Sequence, residues 1–203
     1  MPRLPSFFTL KSILCARSNS NYISKMSDKM IWVDLEMTGL DINKCTILEM
    51  ACIVTDGNLK VIAEGPDVCV HHPESVLTSM EEWSQDHHEK TGLIKSCRES
   101  RYSMRDVEIM MLDFVKEHTS QGSCPLAGNS IYCDKMFLIK YMPEFTSYLH
   151  YRIVDVSSIK ELCRRWYVKD YDLAPKKQNS HRALEDIKES IEELKYYKNK
   201  IFK

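Results

Sequence analysis

Two long stretches rich in apolar residues, 46–55 and 59–70, are joined by Asp56-Gly57, and this arrangement limits the fold more than any other part of the chain. An Asp-Gly pair between two β-prone runs favours a tight hairpin, so the runs are expected to pair antiparallel. A shorter apolar run, 30–35, ends just before Thr38-Gly39 and reads as a buried strand. The domain therefore opens as a meander of three strands.

The pattern then changes period. In 103–118 the apolar residues Val107, Met110, Met111, Phe114 and Val115 recur at helical spacing, and Ser103 with Asp106 forms a capping box. Residues 124–127 read as a short strand ending at Gly128-Asn129, 135–141 as a helix stopped by Pro143, 152–156 as a strand and 158–166 as a helix. A polar, Pro-containing stretch, 170–179, precedes a long helix over 181–198 whose apolar line is Ala183, Leu184, Ile187, Ile191 and Leu194. A meander followed by alternating helix and strand implies a mixed α/β sheet with helices packed on it. Periodicity alone leaves several such arrangements open.

Composition narrows the function classes. The chain has 203 residues, 43% hydrophobic and 28% charged, which suits one globular domain and excludes collagen-like or disordered chains. No run of about 18 apolar residues occurs, so no membrane span is expected. The formal net charge of -1 offers no global basic field, so a nucleic acid partner must be held locally. Cys15, Cys45, Cys52, Cys69, Cys97, Cys124, Cys133 and Cys163 show no C-x-x-C spacing, against a zinc-ribbon or thioredoxin reading. Their low density and the apolar settings of Cys52 and Cys163 favour free thiols in a reducing compartment, with extracellular pairing of the even count as the alternative.

Residues 1–27 differ from the rest. They hold Arg3, Lys11, Arg17 and Lys25, six serines and no acidic residue; the first acid is Asp28. Of 28 basic and 29 acidic residues in the chain, 24 and 29 remain in 28–203, a net charge of -5. A basic, Ser-rich, acid-free leader with Phe7, Phe8, Leu10, Ile13 and Leu14 has the make-up of a mitochondrial transit peptide; a disordered tail is the alternative. Met26 and Met30 offer internal starts for a second, cytosolic or nuclear form. The folded domain is expected over 28–203.

The chemistry begins with Asp34 and Glu36. At i and i+2 of a strand, both side chains face one way, about 7 Å apart along the chain. Paired carboxylates in a core repel, and a divalent cation offsets that repulsion; oxygen-only ligands favour Mg2+ or Mn2+. Taken alone, such a pair is common by chance and is more simply satisfied by one carboxylate pointing to solvent at the strand end. Asp134 stands in the first turn after a strand, where it would also complement a helix dipole. His181 and Asp186 flank the start of the last helix; five residues turn a helix by about 500°, so they do not share a face. A histidine just before that helix would overhang a metal held by Asp186.

Together these residues resemble something specific. D-L-E at 34–36, G-N-S-x-x-x-D at 128–134 and H-R-A-L-E-D at 181–186 are similar to the three motifs of the DEDDh 3′→5′ exonucleases. W-V-D-L-E-M-T-G-L-D at 32–41, Y-R-I-V-D-V-S-S-I-K-E-L-C-R-R-W at 151–166 and A-P-K-K-x-x-S-H-R-A-L-E-D-I at 174–187 resemble the oligoribonuclease family, nearest its eukaryotic mitochondrial branch. The resemblance spans nearly all of 30–203. It implies a ribonuclease-H-like fold, which satisfies the order of elements above, with the first three strands antiparallel. It further implies a homodimer, two divalent metal ions, and cleavage of RNA oligonucleotides of about 2–5 nucleotides to 5′-mononucleotides.

Residue by residue, the resemblance makes Asp34, Glu36, Asp134 and Asp186 the metal-binding carboxylates and His181 the general base. Leu40 and Trp83 resemble the family's wedge and stacking platform for nucleobases. Tyr151, from the partner subunit, resembles the cap on the 5′ base, and Ser130, Arg152 and Ser157 the set that holds the 5′ phosphate. Trp83 and Tyr151 also fit as plain core or interface aromatics. The pairs His71-His72 and His87-His88 lack the spacing of a zinc site. No long basic run exists, the tightest clusters being Arg164-Arg165 and Lys176-Lys177, which suits a short substrate better than a long strand. No stable protein partner beyond a second copy is expected. A non-catalytic RNA-binding scaffold of the same fold would be expected to lack at least one of the four acids, and none is missing.

Overall fold

The computed structural model describes residues 27–176 and 182–202. The strands are β1 (Met30–Met37), β2 (Ile47–Thr55), β3 (Val61–Cys69), β4 (Leu126–Gly128) and β5 (Ile153–Asp155). The helices are α1 (Glu74–Leu77), α2 (Glu82–Lys90), α3 (Leu93–Glu99), α4 (Met104–His118), α5 (Ile131–Tyr141), α6 (Pro143–Tyr148), α7 (Val156–Trp166), α8 (Val168–Asp172) and α9 (Ala183–Lys200). They build one sheet in the order β3-β2-β1-β4-β5. The β3-β2-β1 meander is antiparallel, and β4 and β5 add in parallel.

Alternation along β1 sorts its side chains between two cores. Ile31, Val33 and Leu35 join Met50, Cys52 and Val54 beneath α4, α5 and α6. Trp32 joins Ala51 and Ile53 on the opposite face, against Ile187, Ile191 and Leu194 of α9. Asp34 and Glu36 have the parity of Trp32, so they point to the α9 side. The Trp32 indole N–H donates to Thr55 Oγ1 at 2.9 Å, so this fully buried ring leaves no polar atom unpaired. Each fully buried side chain of Ile or Leu size contributes about 1.5–3 kcal/mol, and β2, buried from end to end, is the spine of both cores.

Three local expectations change. The Asp56-Gly57 turn is a longer loop, because Thr55 pairs with Val61 and the chain turns over residues 56–60. Asp56 Oδ1 accepts the N–H groups of Asn58 at 2.8 Å and Lys60 at 2.9 Å, while Leu59 takes the left-handed conformation at φ 68°. That strain is offset by burying the Leu59 side chain against Trp32 and Ile53. Second, helices α1 to α3 occupy a segment to which the sequence reading assigned no element. They pack Leu77, Leu93, Ile94 and Cys97 onto Leu48 of β2. Third, the short helix α8 runs into the start of the stretch read as polar loop, 170–179.

Elsewhere the expected elements stand with shifted ends. The capping box is present: Asp106 N–H donates to Ser103 Oγ at 3.2 Å, and Ser103 N–H to Asp106 Oδ2 at 2.8 Å. The last helix begins at Ala183, two residues after the expected start. Among the described residues, no helix is long and apolar enough to cross a membrane. Residues 1–26, which hold all but the last residue of the expected leader, lie outside the described residues.

Candidate active site

The acids converge where β1 ends, beside the mouth of the parallel β1–β4 pair, a usual place for ligands in α/β sheets. Asp34 and Glu36 come from β1 and Asp186 from the first turn of α9; ligand oxygens of all three lie within 4.8 Å of one another. Asp134, in the first turn of α5, is buried, and its Oδ1 accepts the backbone N–H of Leu35 at 3.0 Å. The acid of the second motif is thereby bonded to the peptide between the two acids of the first.

Close packing makes α5 deliver Asp134 there. At Gly128 a side chain would meet the Val33 carbonyl and the Ile131 side chain, each at 2.9 Å, so only glycine lets the end of β4 lie this near β1. Ser130 then turns the chain at φ 49° and starts α5. Its N–H donates to Asp155 Oδ1 at 3.1 Å and Ser157 Oγ at 2.9 Å, tying the β4–α5 turn to the β5–α7 turn.

Burial pushes the Glu36 carboxyl up to about 8, and the neighbouring acids Asp186, Glu49 and Asp134 add to the shift; the Arg182 guanidinium opposes it. His88 faces the same group, with Nδ1 3.9 Å from Glu36 Oε2 and Nε2 3.0 Å from the Met37 carbonyl. A set of hard oxygen donors this crowded suits a divalent cation, which offsets the mutual repulsion. Among the described residues, no other group of three His, Cys, Asp or Glu side chains converges in this way, so the adjacent histidine pairs form no second cluster.

The other residues singled out in the sequence differ in their surroundings. Leu40, Trp83 and Tyr151 are 73%, 69% and 63% exposed, which removes the core reading for the two aromatics. Trp83 stacks on His87 with ring centroids 5.2 Å apart. The Arg152 guanidinium lies 5.5 Å from the centre of the Tyr151 ring. Ser130 Oγ donates to Ser157 Oγ at 3.1 Å, and Ser157 Oγ to Asn129 Oδ1 at 3.0 Å. His181 lies outside the described residues, one position before Arg182.

Two groups escaped the sequence reading. Asn129 links the serine pair to α9, donating to Ser190 Oγ at 2.8 Å and Glu193 Oε2 at 3.1 Å. Glu49 on β2 is fully buried and binds Arg182. A lone acid inside the apolar run I-L-E-M-A-C was the available signal for Glu49.

Comparison with known proteins places this geometry. The family model described as Exonuclease matches residues 31–194. Mitochondrial oligoribonuclease of Homo sapiens is 56% identical over 178 residues, covering 88% of this chain and 75% of that protein. The chain belongs to the oligoribonuclease family of exonucleases. A bacterial oligoribonuclease, from Marinobacter nauticus, is 47% identical over 87% of this chain and 97% of its own. Among solved structures, Escherichia coli exonuclease I in its zinc-bound complex with single-stranded DNA superposes with a TM-score of 0.68 at 14% identity. That match covers 87% of this chain but only 41% of the larger one, and it establishes the shared exonuclease fold. The ribonuclease-H-like expectation is met by the mixed sheet and this likeness.

Proposed function

We propose that this oligoribonuclease-family protein is a metal-dependent 3′→5′ exoribonuclease that degrades RNA of about 2–5 nucleotides to 5′-mononucleotides, working as a homodimer. The observation that carries the reading is the convergence of Asp34, Glu36 and Asp186 within 4.8 Å in a chain of this family. These three, with Asp134, would hold two divalent ions, Mg2+ or Mn2+. When bound, such ions supply Lewis-acid activation of water and stabilisation of the charge on the leaving 3′ oxygen.

The chain's own groups do the rest. His181, in its neutral form, accepts the proton from the attacking water. Ser130, Ser157 and Arg152 receive the 5′ phosphate, a set of hydroxyls and a guanidinium suited to a dianion. Leu40 wedges between bases and Trp83 stacks on one; Tyr151 of one subunit caps the 5′ base in the other. Their exposure supports this reading, since a stacking platform must be open to its base. Near-neutral charge supports short substrates over long ones, because affinity for a long strand is built from many phosphate contacts. The acid-free composition of 1–27 and the mitochondrial names of the bovine, mouse and human relatives support import into mitochondria. A start at Met26 or Met30 would leave a form outside them.

A chain-length series tests the reading. RNA and DNA strands from 2 to roughly 20 nucleotides are digested in parallel, the contrast in phosphate contacts being the variable. The expected rate is highest for ribonucleotides at the short end. Faster cleavage of long strands or of DNA would overturn it.

A further inference from the structure

The carboxylate with least access to solvent near the site is none of the four acids. Glu49 has no exposed surface and stands in register opposite Glu36 across the β1–β2 pair. Its Oε1 accepts Arg182 Nε at 3.0 Å and Nη2 at 2.7 Å; its Oε2 accepts Arg182 Nε at 3.3 Å and the backbone N–H of Ala183 at 3.1 Å. The Cys69 thiol reaches Oε1 at 3.5 Å from β3. A buried ion pair is weak support for stability in itself, since desolvation consumes most of the Coulombic gain. Such a pair beside a reaction centre calls for another role.

The helix start indicates that role. Arg182 is the N-cap residue just before α9, yet its side chain makes no capping hydrogen bond to the helix. The first N–H of α9, that of the buried Ala183, is instead capped from a strand by Glu49, which also sets a negative charge at the positive end of the helix dipole. Arg182 fastens the same residue sideways through its planar fork, a geometry a lysine does not reproduce. The first turn of α9 is thus fixed to β2 from two directions, and Asp186 is in that turn.

We infer that Glu49 and Arg182 are positioning residues: together they clamp the start of α9 to β2 so that Asp186 meets Asp34 and Glu36 at the metal-binding distance. The inference rests on the proposed role of Asp186 in holding metal. Groups that orient the ligands of a metal typically matter by about 10- to 100-fold in metal affinity or activity when lost.

The test uses full-length protein and Mn2+ alone as the probe, followed by calorimetric titration, with dinucleotide kcat and KM and thermal unfolding measured beside it. Arg182→Lys keeps the charge and removes the fork; Glu49→Gln keeps the shape and removes the charge. Each should weaken Mn2+ binding by about tenfold or more and lower kcat, with KM little changed. Saturating Mn2+ should restore much of the lost kcat. Arg182→Gln separates the clamp from plain electrostatics: a mere nearby positive charge, once removed, would tighten cation binding, whereas loss of the clamp weakens it. Should Glu49→Gln fail to fold, the two Arg182 variants carry the test, since that side chain is partly exposed. Unchanged Mn2+ affinity and kcat in folded Arg182→Lys, or tighter Mn2+ binding in Arg182→Gln, would overturn the inference. Asp186→Asn distinguishes the two layers: if that variant binds Mn2+ as well as the wild type, it is the metal-site reading that fails.

Discussion

Asp134 Oδ1 accepts the backbone N–H of Leu35 at 3.0 Å. This carboxylate holds α5 against β1 at the peptide flanked by Asp34 and Glu36, and in the proposed function it also holds metal. The two duties are separable by substitution. Asp134→Asn keeps an acceptor for Leu35 and loses the charge; Asp134→Ala leaves a buried N–H without its partner, which costs about 1–3 kcal/mol. Both variants should lose turnover, and only Asp134→Ala should unfold at lower denaturant. Equal unfolding midpoints would remove the structural duty.

The raised Glu36 carboxyl predicts a pH dependence of the metal-free protein. Its value is about 8 in the folded state against 4.5 ordinarily. Below the lower value the group is neutral in both states. Between the two, the unfolded chain releases a proton that the folded chain keeps, so stability falls as pH rises from about 4.5 to about 8. Thermal unfolding in the presence of a chelator should show this fall, and Glu36→Gln should flatten it. Added Mn2+ should restore the loss most strongly at the alkaline end. Identical pH profiles for the wild type and Glu36→Gln would sink the assignment.

His181→Ala should lower the rate by about 10²- to 10⁴-fold, as loss of a general base does, while Mn2+ binding persists. Calorimetric titration checks the second half. Loss of metal binding in that variant would make the histidine a ligand and not the base.

Tyr151 should act across the dimer. Stacking contributes about 1–3 kcal/mol per base by alanine substitution, so Tyr151→Ala should harm dinucleotides most and flatten the length preference. Mixing Tyr151→Ala with Asp34→Ala protein tests the geometry. Each mixed dimer would hold one site with both groups and one with neither, so activity should partly recover. No recovery, with subunit exchange demonstrated, would refute the cross-subunit role.

What the sequence made legible was what short-range periodicity controls. The parity that sets Asp34 and Glu36 on the face of Trp32, and the Ser103–Asp106 capping box, are local rules, and the fold obeys them. Helices α1 to α3 were missed because they are short and bury few side chains; their order depends on packing Leu77, Leu93 and Cys97 against Leu48, a contact that periodicity does not encode. The turn at Asp56 was misread because Leu59 accepts a left-handed backbone in exchange for burial in a core assembled from distant segments. Glu49 stayed unremarked for the same reason, its partner Arg182 being 133 residues away.

The most direct measurement is digestion of a 5′-phosphorylated, labelled diribonucleotide by the pure protein with Mg2+ or Mn2+. The account predicts complete conversion to 5′-mononucleotides, stopped by a chelator and absent in Asp34→Ala. A dinucleotide that persists intact while longer RNA is shortened would contradict it.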